Sequence, residues 1–123
     1  LMNKVLLIDD DHFILEMYVL KFKGAGFNIE TASNSKEGLE KIKTFEPDLL
    51  LLDIVMPAMD GFDILQEIKK SPPSHPLKIV LLSNLGQKED VERGLALGAD
   101  DYIVKANFTP GEVVAKVRAL LAK

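Results

Sequence analysis

Short unbroken apolar runs alternate along this chain with stretches whose apolar residues recur every three or four positions. Val5-Leu6-Leu7-Ile8 and Leu49-Leu50-Leu51-Leu52 are of the first kind. Runs this short, with no polar residue between, fit strands of a parallel sheet covered on both faces. Strands are predicted at Lys4 to Ile8, Phe27 to Thr31, Asp48 to Asp53, Lys78 to Leu82 and Tyr102 to Val104.

Helical spacing fills the gaps. A helix is predicted from His12 to Lys23, with Phe13, Ile14, Met17 and Leu20 as its apolar contacts. Asp11 is placed to cap it, and Gly24-Ala25-Gly26 to end it. Asn34 with Glu37 opens a second helix whose inner face is Leu39, Ile42 and Phe45, stopped by Pro47. A third runs from Phe62 to Lys70 on Ile64, Leu65 and Ile68, and Ser71 to Pro76 breaks it. A fourth spans Lys88 to Leu97, before Gly98. Thr109-Pro110-Gly111-Glu112 supplies cap, first-turn proline and capping glutamate for a fifth helix, carrying Val113, Val114, Val117, Leu120 and Leu121.

Five strand-helix units with short connections imply right-handed crossovers and an α/β three-layer sandwich. The expected topology is flavodoxin-like (βα)₅, with a parallel sheet of order 2-1-3-4-5. Its switch point lies between strands 1 and 3, where ligands bind beyond the strand ends. A length of 123 residues fits a single domain, taken as residues 2–123, with Leu1 read as an expression remnant.

Composition narrows the function classes. With no cysteine, thiolate catalysis, disulfides and zinc-thiolate sites are excluded. A net charge of -4 argues against direct nucleic-acid contact, which needs clustered Lys and Arg. No apolar run approaches the roughly 20 residues of a membrane helix, and the N-terminus lacks a signal-peptide pattern. A cytoplasmic location without membrane contact is expected.

Four of the predicted strands end in polar groups suited to one reaction: Asp9 and Asp10, then Asp53, Ser83 and Lys105. Alone, each reads as a cap, a turn former or a surface amine. Together, at one sheet edge, they form a charge cluster. Two carboxylates about 4 Å apart repel by roughly 4 kcal/mol at an effective dielectric of about 20. Such a cluster holds a proton or recruits a hard cation, and Mg²⁺ suits carboxylates that also meet phosphate oxygens. Lys105 and Ser83 add a positive charge and a hydroxyl, so the set suits phosphoryl transfer through an aspartyl-phosphate.

These residues resemble the response-regulator receiver domain of two-component signalling over essentially the whole chain. The resemblance is carried by Leu7-Ile8-Asp9-Asp10-Asp11, by Asp53-Ile54-Val55-Met56-Pro57-Ala58-Met59-Asp60-Gly61, by Leu82-Ser83, and by Gly98-Ala99-Asp100-Asp101-Tyr102-Ile103-Val104-Lys105. It implies that Asp53 accepts a phosphoryl group from a histidine kinase or phosphotransfer protein. Asp10 would ligate Mg²⁺ (or Mn²⁺ in its place), Asp9 would orient a metal-bound water, and the Val55 carbonyl would be a further ligand. Lys105 and Ser83 would contact phosphoryl oxygens, with Ser83 and Tyr102 as switch residues. Fourth helix, fifth strand and fifth helix would signal to an output domain or partner, and the resemblance leaves room for a homodimer there. Such a protein is a switch that catalyses only its own phosphorylation and dephosphorylation.

Two positions depart from the family. Ala106 follows the lysine, where the family has a proline after a cis bond. A non-proline cis bond costs about 2.5–4 kcal/mol, so either the loop holds that strain or its geometry differs. Asn84 follows Ser83 where a small residue is usual, and its amide is expected to slow loss of the phosphate. Gly61 is read as half of an Asp60-Gly61 turn pair that relieves backbone strain.

Other classes fit less well. A hydrolase with an aspartate nucleophile would need an acid where Val55 stands. A flavin module would need a Ser, Thr and Gly-rich loop where Asp9-Asp10-Asp11 stands. A pseudo-receiver serving only protein contacts is the alternative, separated by Mg²⁺ binding. These residues carry no output domain, so a stand-alone receiver or one cut from a longer regulator or hybrid kinase is expected.

Overall fold

All the predicted strands join one parallel sheet. The computed structural model describes residues 3–123, and the reading of Leu1 lies outside them. Strands β1 (Lys4–Ile8), β2 (Asn28–Ala32), β3 (Leu49–Leu52), β4 (Lys78–Ser83) and β5 (Asp101–Val104) alternate with five helices. These are α1 (His12–Gly24), α2 (Ser35–Thr44), α3 (Gly61–Lys70), α4 (Lys88–Ala96) and α5 (Pro110–Leu121). The order is β2-β1-β3-β4-β5, as predicted, and element ends lie within one or two residues of expectation.

The unbroken apolar runs are explained by two cores. Val5, Leu7, Leu49, Leu51, Val80 and Leu82 face α1 and α5, meeting Phe22, Val113 and Val117. Leu6, Ile8, Leu50, Leu52 and Leu81 face the other way, toward Ile42 of α2 and Ile64 and Leu65 of α3. Each residue of β3 is fully buried. Full burial of one such side chain contributes about 1.5–3 kcal/mol, which explains why these strands tolerate no polar alternation.

The caps formed as predicted. Asp11 Oδ1 accepts from the amides of Phe13 (3.0 Å) and Ile14 (3.3 Å). Asn34 accepts from the Glu37 amide at 2.8 Å, and Thr109 and Glu112 form a reciprocal box. Gly98 leaves α4 with φ +109, in the left-handed region that suits glycine at a helix end.

The buried face of α1 differs from expectation. Phe13 and Leu20 are each 74% exposed, while Leu15, Tyr18 and Phe22 are buried. Ile14 and Met17 do pack against the core. This helix is apolar on nearly every side, so periodicity alone did not select a face. The large rings selected it: Phe22 meets Tyr18 at 6.3 Å and Phe27 edge-on at 5.3 Å.

Candidate active site at the strand ends

Register brings the carboxylates together. Ile8 pairs with Leu52, and the Asp53 amide donates to the Ile8 carbonyl at 2.9 Å, so Asp9 and Asp53 leave adjacent strands side by side. One carboxylate oxygen from each of Asp9, Asp10 and Asp53 lies within 4.8 Å of the others. Asp9 and Asp53 are buried, whereas Asp10 faces solvent. Ser83 pairs with Val104, which sets Lys105 beside the same edge.

Lys105 crosses into the cluster. Its Nζ donates to Asp9 Oδ2 at 2.6 Å and lies 3.4 Å from Asp53 Oδ2. Asp9 Oδ1 accepts from the Asp11 amide at 2.9 Å, and Asp53 Oδ1 from the Ile54 amide at 2.8 Å. Burial pushes the Asp53 carboxyl above its ordinary value and Asp9 adds to the push; the Lys105 charge, the Ile54 amide and the Ser83 hydroxyl oppose it. Burial works to lower the Lys105 ammonium, but its bond to Asp9 and the charge of Asp53 outweigh it and raise the value. Three carboxylates against one ammonium leave a negative surplus matching a divalent cation, and all the donors are hard oxygens. The residues fit Mg²⁺.

The remaining predicted residues lie in β4, in β5 and in the loops that follow β3, β4 and β5. Ser83 is fully buried, and its Oγ accepts from the Leu85 amide at 3.3 Å. The Tyr102 hydroxyl donates to the carbonyl of the same Leu85. Burial, then the charges of Asp90 and Asp53, push that hydroxyl up to about 12. Asn84 is exposed, and Val55 is 59% exposed in the loop after β3. Lys105 to Asn107 forms a short 3₁₀ turn, and no peptide bond among the described residues is cis. Of the two alternatives at Ala106, a different loop geometry holds, and Lys105 still reaches both carboxylates.

Three features escaped the sequence reading. Gly61 has no left-handed φ; instead, a Cβ there would lie 2.5 Å from the Asp53 carbonyl oxygen and 2.8 Å from Ile54 Cα. It is needed for close backbone approach beneath Asp53, which corrects the turn-strain explanation. The Ser35 hydroxyl donates to the Met59 carbonyl at 2.5 Å, tying the loop after β3 to α2. The Leu85 peptide joins Ser83 to Tyr102, and no sequence signal marks it because any residue carries the same backbone groups.

Comparison with known proteins agrees with this geometry. A family model described as "Response regulator receiver domain" matches residues 5–118. The chain is 39% identical over 121 residues to the "Probable transcriptional regulator ycf27" of Guillardia theta, covering 98% of this chain and 46% of that protein. It is 35% identical over 121 residues to the "Alkaline phosphatase synthesis transcriptional regulatory protein PhoP" of Bacillus subtilis, covering 98% and 49%. The chain thus spans about half the length of these relatives. Among solved structures, a CheY-like receiver domain protein from Methanospirillum hungatei superposes with a TM-score of 0.89 at 30% identity, covering 99% of this chain and 95% of that one.

Proposed function

This chain belongs to the response-regulator receiver family, and on that premise we propose that it is a phosphorylation switch with Asp53 as acceptor. The convergence of Asp9, Asp10, Asp53 and Lys105 at one sheet edge carries this reading. An Asp53 carboxylate oxygen attacks the phosphorus of a phosphohistidine on a kinase or phosphotransfer protein. A P–O bond forms as the P–N bond breaks, and the leaving imidazole takes up a proton. Asp9, Asp10, Asp53 and the Val55 carbonyl would hold Mg²⁺, with Mn²⁺ as a substitute; when bound, the ion neutralises charge on the transferred group. Lys105 balances charge on the phosphoryl oxygens, and Ser83 offers them its hydroxyl.

The response is a shift between two states set by the contacts that phosphate makes. Ser83 turning toward phosphate would release the Leu85 amide, and Leu85 is the residue that Tyr102 holds. The change would spread over α4, β5 and α5, where an output domain or a second copy would read it. The relatives are named as transcriptional regulators, which supports a transcriptional output.

The test is incubation with Mg²⁺ and a small acyl-phosphate donor. The expected product is one acid-stable, base-labile phosphate per chain. Absence of that product, or its persistence in Asp53→Asn, overturns the reading.

A further inference from the structure

Gly94 sits in the interior of α4, where glycine is intrinsically less favourable than alanine. Its φ is not in the left-handed region, so conformational freedom does not explain it. It is also the one buried residue of α4, so the helix meets the sheet through a position with no side chain. A Cβ at this position would lie 2.4 Å from Leu81 Cδ1, and 3.2 and 3.5 Å from Cδ2 and Cε2 of Tyr102. The space beside Gly94 is therefore taken by Leu81 Cδ1 and, next to it, by the edge of the Tyr102 ring.

We propose that Gly94 is a positioning residue that seats Tyr102 inward, against α4 and onto the Leu85 carbonyl. The inference rests on the reading of Tyr102 as a switch residue and deepens it. Tyr102 reaches Leu85 through its hydroxyl, and Leu85 reaches Ser83 through its amide. Seating the ring therefore ties α4 to the buried hydroxyl beside Asp53. The loop between β4 and α4 follows the same rule, since a Cβ on Gly86 would meet Val104 Cγ1 at 3.2 Å.

Besides this contact, α4 is held by Arg93, whose guanidinium lies 4.2 Å from the centroid of the Phe62 ring. Its N-terminus has no side-chain cap, and Leu95 is 46% exposed. A helix with so little buried apolar surface belongs to the low-stability end of a fold. Gly38 of α2 provides the contrast. A Cβ there would also fall 2.4 Å from an apolar atom, Ile8 Cδ1, but its three nearest neighbours all belong to that flexible aliphatic side chain. At Gly94 the added methyl would strike Leu81 Cδ1 and would also crowd, at 3.2 Å, a ring whose far end is hydrogen bonded.

The experiment compares wild type, Gly94→Ala and Gly94→Ala/Leu81→Val, each labelled with 3-fluorotyrosine. The chain has two tyrosines, so two fluorine resonances are expected, assigned with Tyr102→Phe. Leu81→Val removes the atom closest to the new methyl while leaving the ring in its path, so the double variant keeps the test valid if Gly94→Ala folds poorly. In both glycine variants the Tyr102 resonance is expected to shift from its wild-type position toward that of solvent-exposed fluorotyrosine. In unlabelled protein, the Tyr102 hydroxyl is expected to titrate nearer 10.0 instead of about 12. A folded variant with an unchanged Tyr102 resonance and unchanged titration overturns the assignment. Phosphate on Asp53 is measured in the same samples. Its absence from wild type refutes the switch itself, whereas normal uptake with Tyr102 still seated in the variants refutes only the role of Gly94.

Discussion

At the N-terminal ends of the strands, Asp48 accepts from the Lys4 amide at 2.8 Å and pairs with His75 Nε2 at 2.7 Å, and Asp100 accepts from the Ile79 amide at 2.8 Å. At the C-terminal ends, Asp9, Asp10 and Asp53 crowd together around a single ammonium. Both edges carry carboxylates, but at the C-terminal edge Asp9 and Asp53, each bonded to one backbone amide, must share a single ammonium. The titration directions follow. Burial opposes ionisation of Asp48, yet the Lys4 amide and His75 outweigh it and hold its carboxyl below the ordinary value. Asp53 is pushed up by burial, with the charge of Asp9 adding to it. A carboxylate at a strand end is thus structural where donors match it. Where negative charge is left over, the carboxylates can take up a cation.

The contrast is sharpest in phosphate uptake. Asp53→Asn is expected to lose all acid-stable phosphate. Asp48→Asn should retain full uptake and instead lose about 1–2 kcal/mol of stability in urea unfolding, the usual scale for a hydrogen-bonded charged group that is partly exposed. Impaired phosphorylation in Asp48→Asn would erase the distinction between the edges.

Mg²⁺ should act on one edge only. At a hundredfold excess over its Kd, a ligand that binds only the folded state stabilises by about 2.7 kcal/mol. Wild type and Asp48→Asn should both gain in thermal melting, while Asp10→Asn should gain much less. Asp10 is the exposed member of the cluster, so its loss tests the metal with little disturbance to the fold.

Acid should separate the edges by sign. The folded value of Asp48 lies below 3.8, so its contribution is present above 3.8 and is lost as pH falls through the folded value. The folded value of Asp53 lies above 3.8, so its ionisation destabilises the metal-free protein above that value, and the penalty is relieved as pH falls through it. Unfolding of wild type, Asp53→Asn and Asp48→Asn between pH 7 and pH 3 should show opposite trends in the two differences. Parallel trends would contradict this account.

The smallest effect concerns lifetime. Asn84→Ala is expected to shorten the aspartyl-phosphate half-life a few-fold, through easier approach of water, with no change in stability because Asn84 is exposed. An unchanged half-life would remove Asn84 from the site.

Much of this protein was legible in the chain itself. Apolar runs without alternation specify doubly covered strands, and caps such as Asp11, Asn34 and Thr109 mark helix starts through contacts within a few residues. The polar residues at the strand ends named the edge where the carboxylates converge, because a parallel sheet collects the ends of its strands whatever the packing details. Tertiary structure decided the rest. It chose Leu15, Tyr18 and Phe22 over Phe13 and Leu20 on an α1 that is apolar nearly all round. It gave Lys105 to Asp9 at 2.6 Å in preference to Asp53 at 3.4 Å. It turned Gly61 and Gly94 into points of close approach and made the Leu85 peptide a link between two hydroxyls. The physical reason is the same in each case. Periodicity and capping are short-range along the chain, whereas these choices depend on differences of an ångström or less in the spacing between packed elements, and on backbone groups that every residue shares.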